Sequence, residues 1–230
     1  MLGPLVVAGV ASDEEEPFVD LGLKDSKQLT PRAREKLAAE IRNRAKHIEI
    51  VVASAEEIDM WRRTMNLNEI EVRMFTMVAR GLGCQALIVD ACDTDARRFG
   101  LRIQSGLKTR CQVFSAHHAD EENPIVSAAS IIAKVERDRR MALISRQMEQ
   151  RYGLPCGSGY GTDPITRHFL DTVVSRHRML PEECRASWKT AHQVLLAHGV
   201  RLHESSLDAF DAPEDDGPGP ADPELVVADE

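Results

Sequence analysis

The segment Ala86-Leu-Ile-Val-Asp90 is a short apolar run that ends in a carboxylate. Its length and its β-branched residues are typical of a buried strand. A carboxylate that directly follows such a strand lies at the rim of the sheet, where open α/β folds place functional groups. The segment therefore predicts one buried strand with a functional carboxylate, Asp90, at its end.

Strands and helices alternate on both sides of this segment. The apolar periodicity predicts further strands over residues 5–11, 47–53 and 111–115. Helical spacing and capping residues predict helices over 30–45, from the capping box Ser54-x-x-Glu57, and over 66–82, 125–152, 163–174 and 187–198. This alternation is typical of an α/β fold.

The composition favours a soluble, cytoplasmic protein with reduced thiols. Its 230 residues suffice for one domain with a sizeable core, and no apolar run approaches the ~20 residues of a membrane span. The apolar stretch Leu5–Val10 has no positive charge before it and is followed by acidic residues, which favours a strand over a signal peptide. The five cysteines form no C-x-x-C pair, so neither a zinc site nor a disulfide framework is predicted.

The negative charge of the chain is concentrated at its C-terminal end. Residues 203–230 hold ten of the 37 acidic residues and no Lys or Arg, which leaves 27 acidic and 29 basic residues before them. The body of the chain, at a net charge of +2, can therefore carry a basic face for phosphates. Few apolar residues follow Val200, so we expect a disordered acidic tail over 201–230.

Asp120 has a setting similar to that of Asp90, because it follows the exit loop of the strand over 111–115. Carboxylate oxygens are ligands that Mg²⁺ prefers, commonly one or two of them together with substrate phosphates. Each aspartate also has a structural interpretation, in which it caps the helix that follows. The spacing alone leaves both interpretations open.

Eight segments in order resemble the type 2 ribonuclease H family, and they are most similar to its archaeal single-chain enzyme and its eukaryotic catalytic subunit. They cover residues 1 to about 195 and are Lys24-Asp-Ser-Lys-Gln-Leu29, Asn66-Leu-Asn-Glu69, Val89-Asp-Ala-Cys-Asp93, His117-His-Ala-Asp120, Ser127-Ala-Ala-Ser-Ile-Ile-Ala-Lys134, Arg137-Asp-Arg139, Gly157-Ser-Gly-Tyr160 with Asp163-Pro164, and Trp188-Lys-Thr190.

The resemblance implies a ribonuclease H-like domain over residues 1–200, with a mixed sheet flanked by helices and a C-terminal helical segment. It implies an endonuclease that hydrolyses the RNA strand of RNA–DNA hybrids, cuts at ribonucleotides embedded in duplex DNA, and leaves 5′-phosphates. The reaction uses two Mg²⁺ or Mn²⁺ ions. Its roles are RNA primer removal and ribonucleotide excision, in DNA replication and repair.

The resemblance also implies roles for individual residues. Asp90 and Asp120 match metal-binding catalytic aspartates, and Tyr160 matches a tyrosine that stacks beside the sugar at the RNA–DNA junction. Candidate phosphate contacts are Lys24, Lys27, Arg137 and Lys189, for which a simple solvated role is the alternative. Asp138 is either a further acidic group near the metals or a partner of a neighbouring arginine.

The chain departs from the family pattern at its start. The family motif Asp-Glu-Ala-Gly-Arg-Gly, with two further carboxylates, precedes the segment matched here by Leu2–Val6. We therefore expect the first central strand to be missing, which leaves two exposed strand edges, and we hypothesise that the gene product starts upstream. If it starts at Met1, we expect little or no cleavage, and the alternatives are a catalytically impaired hybrid-binding remnant or a fragment that does not fold. At a second departure, His118 stands where the family usually has lysine.

The tail contains a degenerate match to a sliding-clamp peptide, Glu204-Ser-Ser-Leu-Asp-Ala-Phe210. Leu207 and Phe210 have the spacing of one hydrophobic turn that seats in a groove. A plain disordered tail is the alternative. We expect a monomer with no membrane partner.

Overall fold

The computed structural model describes residues 1–13, 16–23, 29–200 and 225–229. The chain divides into two compact units, and each is described by itself. The sheet unit contains residues 6–52 and 71–137 together with the C-terminal end of the chain. The helical unit contains residues 1–5 and 53–70 and continues from residue 138.

A five-stranded mixed sheet forms the centre of the sheet unit. Its strands are β1 (Leu5–Ala11), β2 (His47–Ala53), β3 (Ala86–Asp90), β4 (Gln112–Ala116) and β5 (Leu225–Asp229), in the spatial order β2-β1-β5-β3-β4. Strand β3 runs parallel to β4, whereas β5 is parallel to β1 and antiparallel to β3. The predicted mixed ribonuclease H-like sheet is confirmed.

The C-terminal strand corrects two predictions. The tail over 201–230 is not disordered at Leu225–Asp229, because Leu225-Val-Val-Ala228 is an apolar, β-branched run that suits a sheet interior; residues 201–224 and 230 lie outside the described residues. The position between β1 and β3, which we expected a missing central strand to leave open, is occupied by β5. The backbone groups of β1 and β3 that face this position are therefore paired.

Helices α1 (Glu16–Val19), α2 (Pro31–Arg44), α5 (Ala96–Gly106) and α6 (Ala119–Glu122) belong to the sheet unit. So do α4 (Leu67–Leu82) from Glu71 onward and α7 (Pro124–Tyr152) as far as Arg137. Thr30 caps α2 as predicted, with its hydroxyl oxygen 3.3 Å from the Ala33 nitrogen. The apolar stripe of α7 packs against β1 and the neighbouring helices in one buried cluster, which includes Val6, Val10, Phe18, Ile41, Ile125, Val126, Ile131 and Ile132.

The helical unit is built from α3 (Ala55–Arg62), α7 from Asp138 onward, α8 (Pro164–His177) and α9 (Lys189–Ala197). The capping box at Ser54 and Glu57 is confirmed, with both of its hydrogen bonds formed. The core contains Leu2, Met141, Met148, Cys156, Phe169, Leu170, Val173 and Ala191. Within the described ranges, no helix is both long enough and apolar enough to span a bilayer.

Candidate active site

Asp90 and Asp120 lie at the same edge of the sheet. Because β3 and β4 are parallel, their carboxyl ends meet, and the Ala91 nitrogen donates to the Ala116 oxygen at 2.9 Å. Beyond this point Oδ1 of Asp90 accepts a hydrogen bond from the backbone nitrogen of Ala119 at 3.0 Å. Asp120 is the next residue along the chain. The structure therefore brings the two predicted aspartates together.

Asp90 positions the short helix that carries Asp120. The chain reverses at His118, whose φ of 58° is left-handed, and α6 begins directly after it. The carboxylate of Asp90 lies at the positive N-terminal end of α6, which is a favourable placement for a negative charge. Asp120, in the first turn of α6, is only 6% exposed. Asp90 thus ties the end of β3 to the helix that holds the second carboxylate.

Neither aspartate caps the helix that follows it in the chain. The helix after Asp90 is α5, and Asp95 caps it by accepting from the Arg98 nitrogen at 2.9 Å. The helix after α6 is α7, and the Asn123 side chain accepts from the Ile125 and Val126 nitrogens at 2.9 and 3.0 Å. Asp95 and Asn123 therefore cap α5 and α7, whereas Asp90 accepts a hydrogen bond from the first backbone nitrogen of α6.

An internal ion pair holds the loop after Asp90. The Asp93 side chain is fully buried, and its Oδ1 lies 2.5 Å from Nη2 of Arg98. Burial acts to raise the pKa of Asp93, but the hydrogen bonds from Arg98 and from the Asp95 backbone outweigh it, so the pKa is lowered and the carboxyl stays ionised. Asp93 therefore has a partner of its own and stabilises the loop between β3 and α5.

The aspartate pair suits a hard divalent cation that a substrate helps to bind. Within the described ranges, no group of three or more His, Cys, Asp or Glu side chains is arranged to hold a metal. Mg²⁺ is commonly held by only one or two protein carboxylates, with phosphate oxygens and water as its remaining ligands. The donor set fits such an ion.

In the helical unit, Tyr160 ends a glycine loop that has a fixed conformation. Gly157 and Gly159 adopt φ values of 71° and 84°, which a residue with a side chain rarely adopts. Oδ2 of Asp163 accepts from the Ser158 backbone at 2.6 Å and from its hydroxyl at 2.7 Å. These hydrogen bonds lower the pKa of Asp163 to about 2. The carboxylate therefore stays ionised and holds the loop that presents Tyr160.

The same unit places Lys189 beside this loop. A Cβ built on Gly161 would lie 3.7 Å from Oγ1 of Thr190, so the loop borders the first turn of α9. Asp59 fixes the segment before α9, accepting from the Ala186 and Ser187 nitrogens at 2.7 and 3.0 Å. Lys189 is exposed and Tyr160 is half-buried. The structure therefore places Tyr160, the predicted stacking residue, and Lys189, a predicted phosphate contact, on neighbouring segments.

The remaining predicted site residues divide into two groups. Arg137 is only 8% exposed, and its phosphate contact stays a prediction. Lys24, Lys27, Leu207 and Phe210 lie outside the described residues. We did not single out Asp59 in the sequence, because its partners at 186–187 become neighbours only in the folded chain.

Comparisons with known proteins agree with this architecture. The family model described as ribonuclease HII matches residues 1–191. A ribonuclease HII of Methanoregula boonei is 40% identical over 210 residues, which cover 91% of this chain and 94% of the relative. The crystal structure of ribonuclease H2 from Pyrococcus horikoshii has a TM-score of 0.76 and 37% identity, and the match covers 86% of this chain and 92% of that one.

A second solved structure shows a relative bound to another protein. It is the complex of PCNA with ribonuclease HII from Archaeoglobus fulgidus, with a TM-score of 0.75 and 37% identity. The match covers 84% of this chain and 90% of that one. The likeness thus extends over most of the length of each relative.

Proposed function

Because the chain belongs to the ribonuclease HII family, we propose that it cuts the RNA strand of RNA–DNA hybrids and also cuts at single ribonucleotides embedded in duplex DNA. The chain is a ribonuclease H hydrolase by its family. The observation that carries the proposal is the link from Asp90 to the start of the helix that holds Asp120. It supplies two carboxylates at one edge of the sheet, as phosphodiester hydrolysis with hard cations requires.

Asp90 and Asp120 are the proposed ligands of Mg²⁺ or Mn²⁺ in a two-metal reaction. When bound, such ions lower the pKa of the attacking water and stabilise charge on the phosphate and the leaving oxygen. The work of the protein is to hold the two carboxylates in place. It does so through the hydrogen bond of Asp90 to Ala119 and through the burial of Asp120.

Tyr160 and Lys189 are proposed to contact the nucleic acid. An aromatic ring offers a face on which a base or sugar stacks, and an exposed lysine attracts a phosphate. Hydrogen bonds accepted by Asp163 fix the loop before Tyr160, and those accepted by Asp59 fix the segment before Lys189. Lys24 and Lys27 are proposed as further phosphate contacts. The RNA strand would be distinguished by its 2′-hydroxyl groups.

A cleavage assay with three labelled duplexes tests the proposal. We expect cutting of an RNA–DNA hybrid and of duplex DNA that carries one ribonucleotide, with 5′-phosphate products, in the presence of Mg²⁺ or Mn²⁺. An all-DNA duplex serves as the control and stays intact. Chelation of the metal abolishes cutting. Binding of either ribonucleotide substrate without cleavage would instead support a catalytically impaired hybrid-binding protein, which the family match does not favour.

We also propose that the tail binds a sliding clamp. The support is the Archaeoglobus relative solved with PCNA and the spacing of Leu207 and Phe210. In a fluorescence anisotropy titration, we expect a peptide of residues 203–212 to bind the cognate clamp. The same peptide with Leu207→Ala and Phe210→Ala should not bind. No binding of the unchanged peptide at high micromolar concentration would end this part of the proposal.

We further propose a cellular setting for this reaction. A cytoplasmic monomer that removes RNA primers and excises misincorporated ribonucleotides fits the substrates above.

A further inference from the structure

Two of the five cysteines lie side by side at the entry of two neighbouring strands. The sulfur atoms of Cys84 and Cys111 are 3.7 Å apart, and neither cysteine is in a disulfide. Cys84 stands two residues before β3, and Cys111 stands directly before β4. Between them, the Gln112 nitrogen donates to the Gln85 oxygen at 2.8 Å, which fixes the two backbones relative to each other.

We propose that Cys84 and Cys111 are an oxidisable pair that forms an intramolecular disulfide by exchange with a low-molecular-weight disulfide such as oxidised glutathione. The sulfurs need to approach from 3.7 Å to about 2.05 Å. A Cβ built on the preceding residue, Gly83, would have no atom within 4 Å, so the chain beside Cys84 has room for this movement. Neither the cysteine count nor the spacing of 27 residues shows this pairing in the sequence.

The exposure of the two thiols sets the order of the exchange. Cys84 is half-buried and accessible to a small disulfide, whereas Cys111 is buried and burial raises the pKa of its thiol. The Cys84 thiolate attacks the small disulfide, forms a mixed disulfide and releases one small thiol. Cys111 then loses its proton and attacks the Cys84 sulfur, which releases the second small thiol. Two protein thiols are oxidised to one disulfide, and the small disulfide is reduced to two thiols.

The other three cysteines have different surroundings. Cys156 and Cys184 are buried, and burial raises the pKa of both thiols, that of Cys184 to about 12. They should therefore react slowly. Cys92 is half-buried, lies in the loop after β3, and has no sulfur contact among the described residues. Cys92 can form a mixed disulfide with a small thiol, but among the described residues no second cysteine contacts it to complete an intramolecular disulfide.

The disulfide would link two neighbouring strands at the end of the sheet opposite to Asp90 and Asp120. It would join the starts of β3 and β4, whereas Asp90 stands at the other end of β3. Six Cα-to-Cα steps of near-extended chain lead from Cys84 to Asp90, roughly 20 Å. The bond would close a loop that contains β3 and α5, which removes conformational freedom from the unfolded chain. We therefore expect greater thermal stability with unchanged access to the carboxylates.

The test uses the full chain with Cys92→Ser, because trypsin leaves Cys84 and Cys92 in one peptide, residues 81–97. After incubation with oxidised glutathione and alkylation of the remaining thiols, we expect mass spectrometry to find this peptide joined to residues 111–134. The Tm should rise by roughly 5 °C and return to its original value on reduction. The matched control, Cys84→Ser with Cys92→Ser, should show neither the joined peptide nor the rise.

Either of two results would overturn the proposal. One is a stable glutathione adduct on Cys84 with no joined peptide, which would mean that Cys111 cannot reach the mixed disulfide. The other is a disulfide of Cys111 with Cys156 or Cys184, which would mean that the observed proximity does not govern oxidation.

Discussion

Replacing Asp90 or Asp120 with asparagine is expected to reduce the rate of hybrid cleavage by at least about 100-fold, since a metal ion supplies several kcal/mol of transition-state stabilisation. Asparagine keeps the size of the side chain but removes the negative charge that attracts the cation. In the Asp90→Asn variant the side-chain carbonyl oxygen can still accept the Ala119 hydrogen bond, so the helix carrying Asp120 should stay in place. We therefore expect loss of activity with little loss of stability.

The measurement is a single-turnover cleavage rate at saturating Mg²⁺, with the Tm recorded for each variant. Asp171→Asn is the matched control, because this exposed aspartate of α8 pairs with His198 within the helical unit. Its rate should stay within about twofold of the unchanged protein, as expected for an exposed surface substitution. Equal rates for Asp90→Asn and the control would show that Asp90 has no part in the reaction.

Removal of β5 is the second change with a large expected effect. A chain that ends at Gly219 would leave the facing edges of β1 and β3 without their strand partner in the middle of the sheet. Interior backbone groups would lose their hydrogen bonds, and two apolar strands would gain exposed edges. We expect the Tm to fall by roughly 10 °C, from a loss on the order of 4 kcal/mol, or the protein to aggregate.

A single substitution tests the contribution of β5 to stability while leaving the acidic segment before it unchanged. Val227 pairs with Val10 on one side and with Ile88 on the other, so Val227→Pro removes a donor from the centre of the ladder. Val227→Thr keeps the β-branch and the N–H group and serves as the control. A shortened chain and a Val227→Pro variant that both melt like the unchanged protein would show that β5 does not complete the sheet.

The residues that form the elements could be predicted because their signals are local. The capping box at Ser54, the proline after Thr30 and the apolar run at 86–90 depend only on near neighbours in the chain, and the structure has the corresponding elements. The resemblance of eight ordered segments then predicted the family, and the family match confirms it. Asp90 and Asp120 were predicted from the same resemblance, and a hydrogen bond joins Asp90 to the first residue of the helix that contains Asp120.

The features that could not be predicted depend on contacts between distant parts of the chain. Leu225–Asp229 is five residues long and lies within an acidic, proline-containing stretch, so the average composition hid a strand. The helix α5 has arginines at its second and third positions and buries only Phe99, Gly100 and Ile103, a pattern that a scan for continuous apolar runs overlooks. Cys84 and Cys111 become neighbours because β3 and β4 align in register.

The central claim, that Asp90 and Asp120 together hold a divalent cation, is tested most directly by titrating Mn²⁺ into the ¹⁵N-labelled protein and following its amide resonances. Paramagnetic Mn²⁺ broadens the signals nearest to it. We expect the amides of Ala91, Ala119 and Asp120 to broaden first and that of Gln85, before β3, to persist, with the pattern lost in Asp90→Asn and Asp120→Asn. Broadening centred elsewhere, or unchanged in both variants, would contradict the claim.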